Sequence, residues 1–270
     1  MTNPALALAN MDLDPVAVAE IVERFHRDGF AVVPGVLSAE ECARLRRRND
    51  EMADDPVIAK SNRHGGYSFA LASPIDHDLG FAQMFARQPI LTLVRGVLGQ
   101  HVRYAGSTFL RTRQGEAVAF WHVDDCNQID MPLPPEVPRW PAAARMPVHW
   151  LSVQIALTDI DSVEYGPTEI VPGSHYAGRL PDSQDNPQFE GRGPVQVLCK
   201  AGDIYLFNHQ VWHRGMPNRS TRTRYLMQLQ YARGDSLAWR LSAVHSPKLD
   251  ELLRDQPDLR ELLIGPPKYV

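Results

Sequence analysis

Two kinds of hydrophobic spacing divide the chain. From Asp14 to Asp28 the apolar positions Val16, Val18, Ile21, Val22 and Phe25 recur at helical intervals, and Gly29 stands where a helix would end. Phe30 to Val33 is an unbroken apolar run closed by Pro34-Gly35, which predicts a short buried strand. Ser38 and Glu41 have the spacing of a capping box and start a second helix running to about Met52. Residues 54–82 keep no sustained period and are expected to be irregular, and Pro89 to Leu98 predicts a third helix stopped at Gly99. From His101 the spacing changes to two. Strands are predicted over Val102–Arg111, Val118–Asp124, Trp150–Asp159 (apolar at Leu151, Val153, Ile155 and Leu157), the stretch leading to Pro172-Gly173, Val195–Leu198, Ile204–Phe207, His209–His213 and Arg224–Tyr231. Pro247 to Leu263 returns to a helical pattern at Leu249, Leu252, Leu253, Leu259 and Leu262.

Helices thus gather in a part at about 14–99, strands at about 101–235, and a C-terminal helix lies at about 247–264. That order points to a single domain over 1–270, mainly β, with a sandwich or barrel flanked by helices. The segment 127–147 holds six prolines and cannot form a regular element. Its length, and its place directly after the 118–124 strand, predict a lid.

Composition narrows the function. A chain of 270 residues, 44% hydrophobic and 22% charged, can bury one large core. A net charge of −4 speaks against a nucleic-acid binder, and no apolar run reaches the roughly 18 residues of a membrane span. Met1–Asp12 lacks the basic start and long apolar stretch of a signal peptide. The three cysteines, Cys42, Cys126 and Cys199, have no motif spacing, which argues for a reducing, cytoplasmic setting. The expected partner is a small-molecule substrate, with no nucleic acid and no membrane, and the expected assembly is a monomer or homodimer.

The candidate chemistry begins at His122-Val123-Asp124. In an extended strand, residues i and i+2 share a face, so this imidazole and carboxylate are placed to grip one ion. A second histidine would complete a set of two His and one carboxylate, which leaves open metal positions and is typical of non-haem Fe(II) oxygenases. His209 and His213 are four residues apart and would face the same way on one strand, so strand phase leaves both open. His175, after a Pro-Gly turn, is expected outside the barrel. Asp125 points away from its neighbour's face, and Cys126 reads as a small buried side chain. Lys60, Arg63 and His64 are candidates for meeting an anionic group, and Trp121, Trp140, Trp150 and Trp239 for walling an apolar one.

Several motifs in order carry a resemblance. They are Asp28-Gly29-Phe30 through Leu37-Ser38, His122-Val123-Asp124, Gly166-Pro167 to Pro172-Gly173-Ser174-His175, Gly202-Asp203 to Phe207, His213-Arg214-Gly215, Asn218-Arg219-Ser220 and Arg224. Over roughly residues 20–235 the chain resembles the phytanoyl-CoA dioxygenase-like family of Fe(II)- and 2-oxoglutarate-dependent oxygenases. The resemblance implies a double-stranded β-helix (a cupin-like jelly roll) using iron, 2-oxoglutarate and O2. It implies His122, Asp124 and His213 as the catalytic metal ligands. The family places an arginine eleven residues after the distal histidine; His213 leads to Arg224, whereas His209 leads to Ser220. Arg224 would hold the far carboxylate of 2-oxoglutarate as a permanently charged fork, with Arg222 the alternative. Thr168 is implied in the same cosubstrate pocket, with Gln154 and Tyr231 as weaker candidates. Halogenating relatives replace the metal carboxylate with a small residue; Asp124 is retained, so hydroxylation of an unactivated C–H bond is implied, with release of succinate and CO2. The substrate class implied is a small molecule of natural-product type. Desaturation, cyclisation or epoxidation would use the same ligands. A non-catalytic metal-binding barrel is the alternative, separated by its lack of coupled 2-oxoglutarate decarboxylation. A zinc hydrolase is disfavoured because no His-Glu-x-x-His is present.

Overall fold

The structure, a computed structural model, describes residues 11–58, 62–64, 69–124, 131–141, 145–235 and 247–264. Helix α1 (Pro15–Asp28) starts at Asp14, whose side chain accepts from Val16 N–H, and ends at Gly29 in the left-handed conformation. Strand β1 (Phe30–Val33) follows. Helix α2 (Ala39–Asp54) opens with the expected capping box, each of Ser38 and Glu41 accepting from the other's backbone N–H. Glu41 also receives two hydrogen bonds from the buried Arg87 guanidinium, which ties α2 to the chain before α4 (Ile90–Leu98). The segment expected to be irregular holds β2 (Asn62–His64), β3 (Phe69–Ala72) and the short helix α3 (Leu79–Gln83). Short strands need only a neighbour, and β3 finds one in the strand Val102–Thr112. Their own hydrophobic pattern is too brief to register.

The remaining strands are β4 (Val102–Thr112), β5 (Val118–His122), β6 (Trp150–Ala156), β7 (Thr168–Ile170), β8 (Val195–Val197), β9 (Ile204–Asn208), β10 (His213–Gly215) and β11 (Arg224–Arg233). They form two antiparallel sheets, in the orders β1-β9-β6-β11-β4-β3-β2 and β5-β10-β7-β8. This is the expected double-stranded β-helix. At the C-terminus two helices, Pro247–Leu252 and Pro257–Ile264, replace the single helix expected, because Pro257 cannot continue a helix already under way.

Alternation assigns each strand two faces. Leu151, Val153 and Ile155 of β6, Ile204 and Leu206 of β9, and Met227, Leu229 and Tyr231 of β11 pack outward against Phe25, Leu45, Leu93 and Val94 of the helices. Ala156, Tyr205, Phe207 and Leu226 point the other way and meet Ile170 and Val197 of the smaller sheet. The inner face also carries Ser152 and Gln154, which lie opposite Phe207 and Tyr205 and are buried despite their polarity.

The proline-rich segment is fastened rather than free along its described part. Leu133 N–H donates to Gly178 O and Trp140 N–H to Tyr176 O, both at 2.8 Å, and Arg139 pairs with Glu190. Gly178 permits this approach, since a Cβ there would stand 2.5 Å from Leu133 Cδ1.

His175 lies in the turn beyond β7, 1% exposed, with Nε2 donating to the His26 carbonyl of α1 at 3.0 Å. Burial pushes its pKa down from 6.5 to about 4, and the hydrogen bond only partly opposes this. Between those values the unfolded chain binds a proton at this position and the folded chain does not, so stability falls as pH falls through that window. The full effect is of order 3 kcal/mol at most. Thermal melts from pH 7 to pH 4.5 should therefore fall more steeply for the wild type than for His175→Gln; parallel curves would remove the imidazole as the cause.

Candidate metal centre

The β5–β10 pair places His213 directly opposite His122, with ring centroids 4.2 Å apart. Each Nδ1 lies 3.0 Å from the carbonyl two residues earlier, Phe120 O for His122 and Val211 O for His213. A carbonyl can only accept, so each Nδ1 carries the proton and each Nε2 offers a lone pair. Asp124 follows, its backbone N–H donating to His209 O at 2.8 Å. Its carboxylate oxygens stand 3.7 Å from His122 Nε2 and 3.6 Å from His213 Nε2. One atom from each of the three residues falls within 4.8 Å of the others, near enough for the three to converge on one ion. Burial lowers the His213 pKa from 6.5 against the pull of Asp124, which favours the neutral, ligating imidazole.

The route to this arrangement differs from the expected one. Strand β5 ends at His122, so Asp124 is not an i+2 neighbour on a continuing strand; it is set by its bond to His209 O. Residues 209–212 are likewise a turn, in which Val211 N–H donates to Asn208 O and Gln210 N–H to the Asn208 side chain. That turn carries the chain from the large sheet to the small one, and His213 begins β10. His209 also approaches Asp124, but its Nε2 is 2.7 Å from Ser152 Oγ, and His213 is the histidine that joins the converging group.

Arg224 opens β11 on the inner face, 7% exposed. Nη2 donates to Thr112 Oγ1 across the β4–β11 pair at 2.9 Å, while Nε and Nη1 have no partner among the described residues. Burial lowers the pKa of this guanidinium. Thr168 Oγ1 shares a 2.7 Å hydrogen bond with the Tyr205 hydroxyl, which lies close enough to feel the Arg224 charge. Gln154 faces the same interior with a buried Oε1 that has no partner among the described residues. Arg222, by contrast, precedes the strand, is exposed, and sits 3.5 Å over the Tyr165 ring. Tyr231 points to the helical side and donates to Phe85 O at 3.1 Å, which takes it out of the interior.

Trp150 lies against His209, Trp121 is buried beneath Arg214, and Trp140 sits on the fastened loop. Lys60, Asp125, Cys126 and Trp239, and the side chains of Arg63 and His64, lie outside the described residues. Sequence reasoning passed over Ser152, Tyr205, Gln228 and the turn position of His209. One signal was available: the polar alternates of β6 and β11 face an equally closed interior, so their alternation does not mark solvent.

A β-helix that presents two imidazoles and a carboxylate at one mouth, with an isolated buried guanidinium on its inner wall, has the architecture of the cupin-like non-haem iron oxygenases. The sequence pattern of the Phytanoyl-CoA dioxygenase (PhyH) family matches residues 25–226, and the chain belongs to that family. An ectoine dioxygenase of Stutzerimonas stutzeri (strain A1501) is 30% identical over 182 residues, covering 64% of this chain and 55% of that protein. The chain therefore spans about half the length of that relative. Among solved structures, the epimerase SnoN in complex with Fe3+, alpha ketoglutarate and nogalamycin RO is 23% identical with a TM-score of 0.62, covering 82% of this chain and 85% of that one. HygX from Streptomyces hygroscopicus with nickel, 2-oxoglutarate and hygromycin B bound has a TM-score of 0.63 at 19% identity, covering 80% and 87%. These likenesses establish the fold.

An uncompensated buried cation is destabilising, and an apolar side chain of similar length removes that cost. Arg224→Met should raise the urea midpoint of the chain without added ligand, corresponding to a gain in unfolding free energy of order 1–4 kcal/mol. A lower midpoint would mean that the guanidinium holds the strands together rather than straining them.

Proposed function

We propose that the chain is one Fe(II)- and 2-oxoglutarate-dependent dioxygenase domain that hydroxylates an unactivated C–H bond of a small molecule, releasing succinate and CO2. The observation that carries this reading is the presence, in one β-helix, of an open three-donor group and a buried guanidinium with two nitrogens, Nε and Nη1, unpartnered among the described residues. His122, Asp124 and His213 would hold the iron, and Arg224 the far carboxylate of 2-oxoglutarate. Bound iron supplies O2 activation coupled to decarboxylation of the cosubstrate.

The chain's own residues do the rest. The Phe120 and Val211 carbonyls keep each Nε2 unprotonated toward the metal. Thr112 accepts one N–H of Arg224 Nη2, and the N–H groups on Nε and Nη1, without a partner among the described residues, are left for a carboxylate. The Thr168–Tyr205 hydroxyl pair lies beside it and offers a further polar contact. Burial of this wall excludes water, which strengthens each of these interactions.

A small polar substrate is supported by the inner face of β6 and β11, where Ser152, Gln154 and Gln228 interrupt the apolar lining. The ectoine dioxygenase relative and the nogalamycin and hygromycin B complexes of its structural neighbours support a natural-product-like molecule. Phe120, 50% exposed beside His122, is placed to meet it. A cytoplasmic setting is supported by the free, buried Cys42 and Cys199. No helix among the described residues is long and apolar enough to cross a membrane.

The test is anaerobic binding of Fe(II) and 2-oxoglutarate, followed by a screen of metabolites for stimulated succinate release. Wild type should bind both, and Arg224→Met should bind metal but weaken 2-oxoglutarate by at least roughly 100-fold, the worth of a charged hydrogen-bonded pair. Asp124→Ala should release no substrate-dependent succinate; unchanged turnover in that variant would remove the metal assignment.

A further inference from the structure

A line of polar contacts leads from Asp124 into the large sheet. His209 Nδ1 stands 3.9 Å from Asp124 Oδ2. On the other edge of the ring, Nε2 lies 2.7 Å from Ser152 Oγ, and Gln228 Nε2 donates to that same oxygen at 3.1 Å. His209 is fully buried, with the Trp150 and Phe207 rings against it at centroid distances of 3.6 and 5.4 Å. Residue 209 thereby reaches Asp124 twice, through its carbonyl to the backbone N–H and through its ring to the carboxylate.

The contacts have a direction. A serine hydroxyl has one proton to give. Ser152 Oγ can accept from the Gln228 amide and give its own proton to His209 Nε2, an arrangement that leaves the ring proton on Nδ1, toward the carboxylate. The opposite tautomer, with Nε2–H donating to Ser152 Oγ, would place the Nδ1 lone pair against a carboxylate oxygen, which is repulsive. At 3.9 Å the Nδ1–H contact is longer than a hydrogen bond and acts as a charge–dipole attraction between a fully buried ring and a partly exposed carboxylate.

We propose that His209 is a positioning residue for Asp124: its Nδ1–H, oriented by Ser152 and Gln228, holds the carboxylate in its metal-facing direction and links the inner wall of the large sheet to the metal centre. This rests on His122, Asp124 and His213 being the metal site. Gln228 lies on the inner face of β11 opposite Gln154, so a molecule that engages its amide acts on the orientation of Asp124 through Ser152 and His209.

Co(II) binding tests this without turnover, read by calorimetry and by the visible absorption of the bound ion. Wild type should bind one Co(II), and His122→Ala should not; failure of the wild type to bind would defeat the metal site itself. An asparagine amide nitrogen falls near the Nδ1 position of histidine, and a glutamine amide nitrogen near Nε2. His209→Asn should therefore stay within a few-fold of wild-type affinity, while His209→Gln should lose roughly 10- to 100-fold, the range for partners of metal ligands, and shift the Co(II) spectrum. If the Asn and Gln variants lose affinity equally, or Gln binds as tightly as wild type, the proposal is overturned. Should either variant fail to fold, Ser152→Ala decides: weaker Co(II) binding upholds the relay and unchanged binding overturns it.

Discussion

The centre depends on one turn. Residues 208–212 take the chain from β9 in the large sheet to β10 in the small one, and two carbonyls of that turn face the candidate ligands. His209 O receives the Asp124 N–H, and Val211 O receives the His213 Nδ1–H. Phe120 O does the same for His122 from the facing strand. Main-chain groups thus set the tautomer of both imidazoles and the approach of the carboxylate. A backbone carbonyl cannot rotate away as a side chain can, so the donors are held as firmly as the strands that carry them. The sheets are what make the site, in the sense that their crossing point fixes its geometry.

The interior behind that mouth is polar in a place where a β-sandwich would ordinarily be apolar. Leu226 and Phe207 share it with Ser152, Gln154, Gln228 and Arg224, and the apolar contacts that hold the domain together lie mostly on the other side of the large sheet, against α1, α2 and α4. Division of labour between the faces lets the inner one carry a buried charge. The folded chain tolerates Arg224 because the helical side supplies the core.

How much of this could be read from the chain depended on the range of the signal. Helices α1, α2 and α4 announce themselves by period and by caps, Gly29, Ser38-Glu41 and Gly99, and the structure follows closely. Long strands such as β4 and β11 were legible from alternation, whereas β2 and β3 were not, since three or four residues hold no period. The triplet His122-Val123-Asp124 was legible by spacing, but the strand argument attached to it fails where β5 ends. His213 could be separated from His209 only by family pattern, because the turn between them is made by the Asn208 side chain and carbonyl, a local device with no hydrophobic signature. The role of Ser152 and Gln228 was invisible for a different reason: a polar residue in an alternating strand looks the same whether it faces water or a closed interior.

The two-faced strands carry a consequence for how such a protein diversifies. Along β6 and β11, neighbouring residues answer to different demands, one to the helices and the next to whatever occupies the interior. Tolerance to substitution should alternate with a period of two, odd positions of β6 conserving volume and even positions conserving chemistry. Ligand preference is then free to drift through single replacements at the even positions outside the Ser152–Gln228 pair while the packing between sheet and helices is inherited unchanged, which would let one scaffold serve many small molecules without being rebuilt for each.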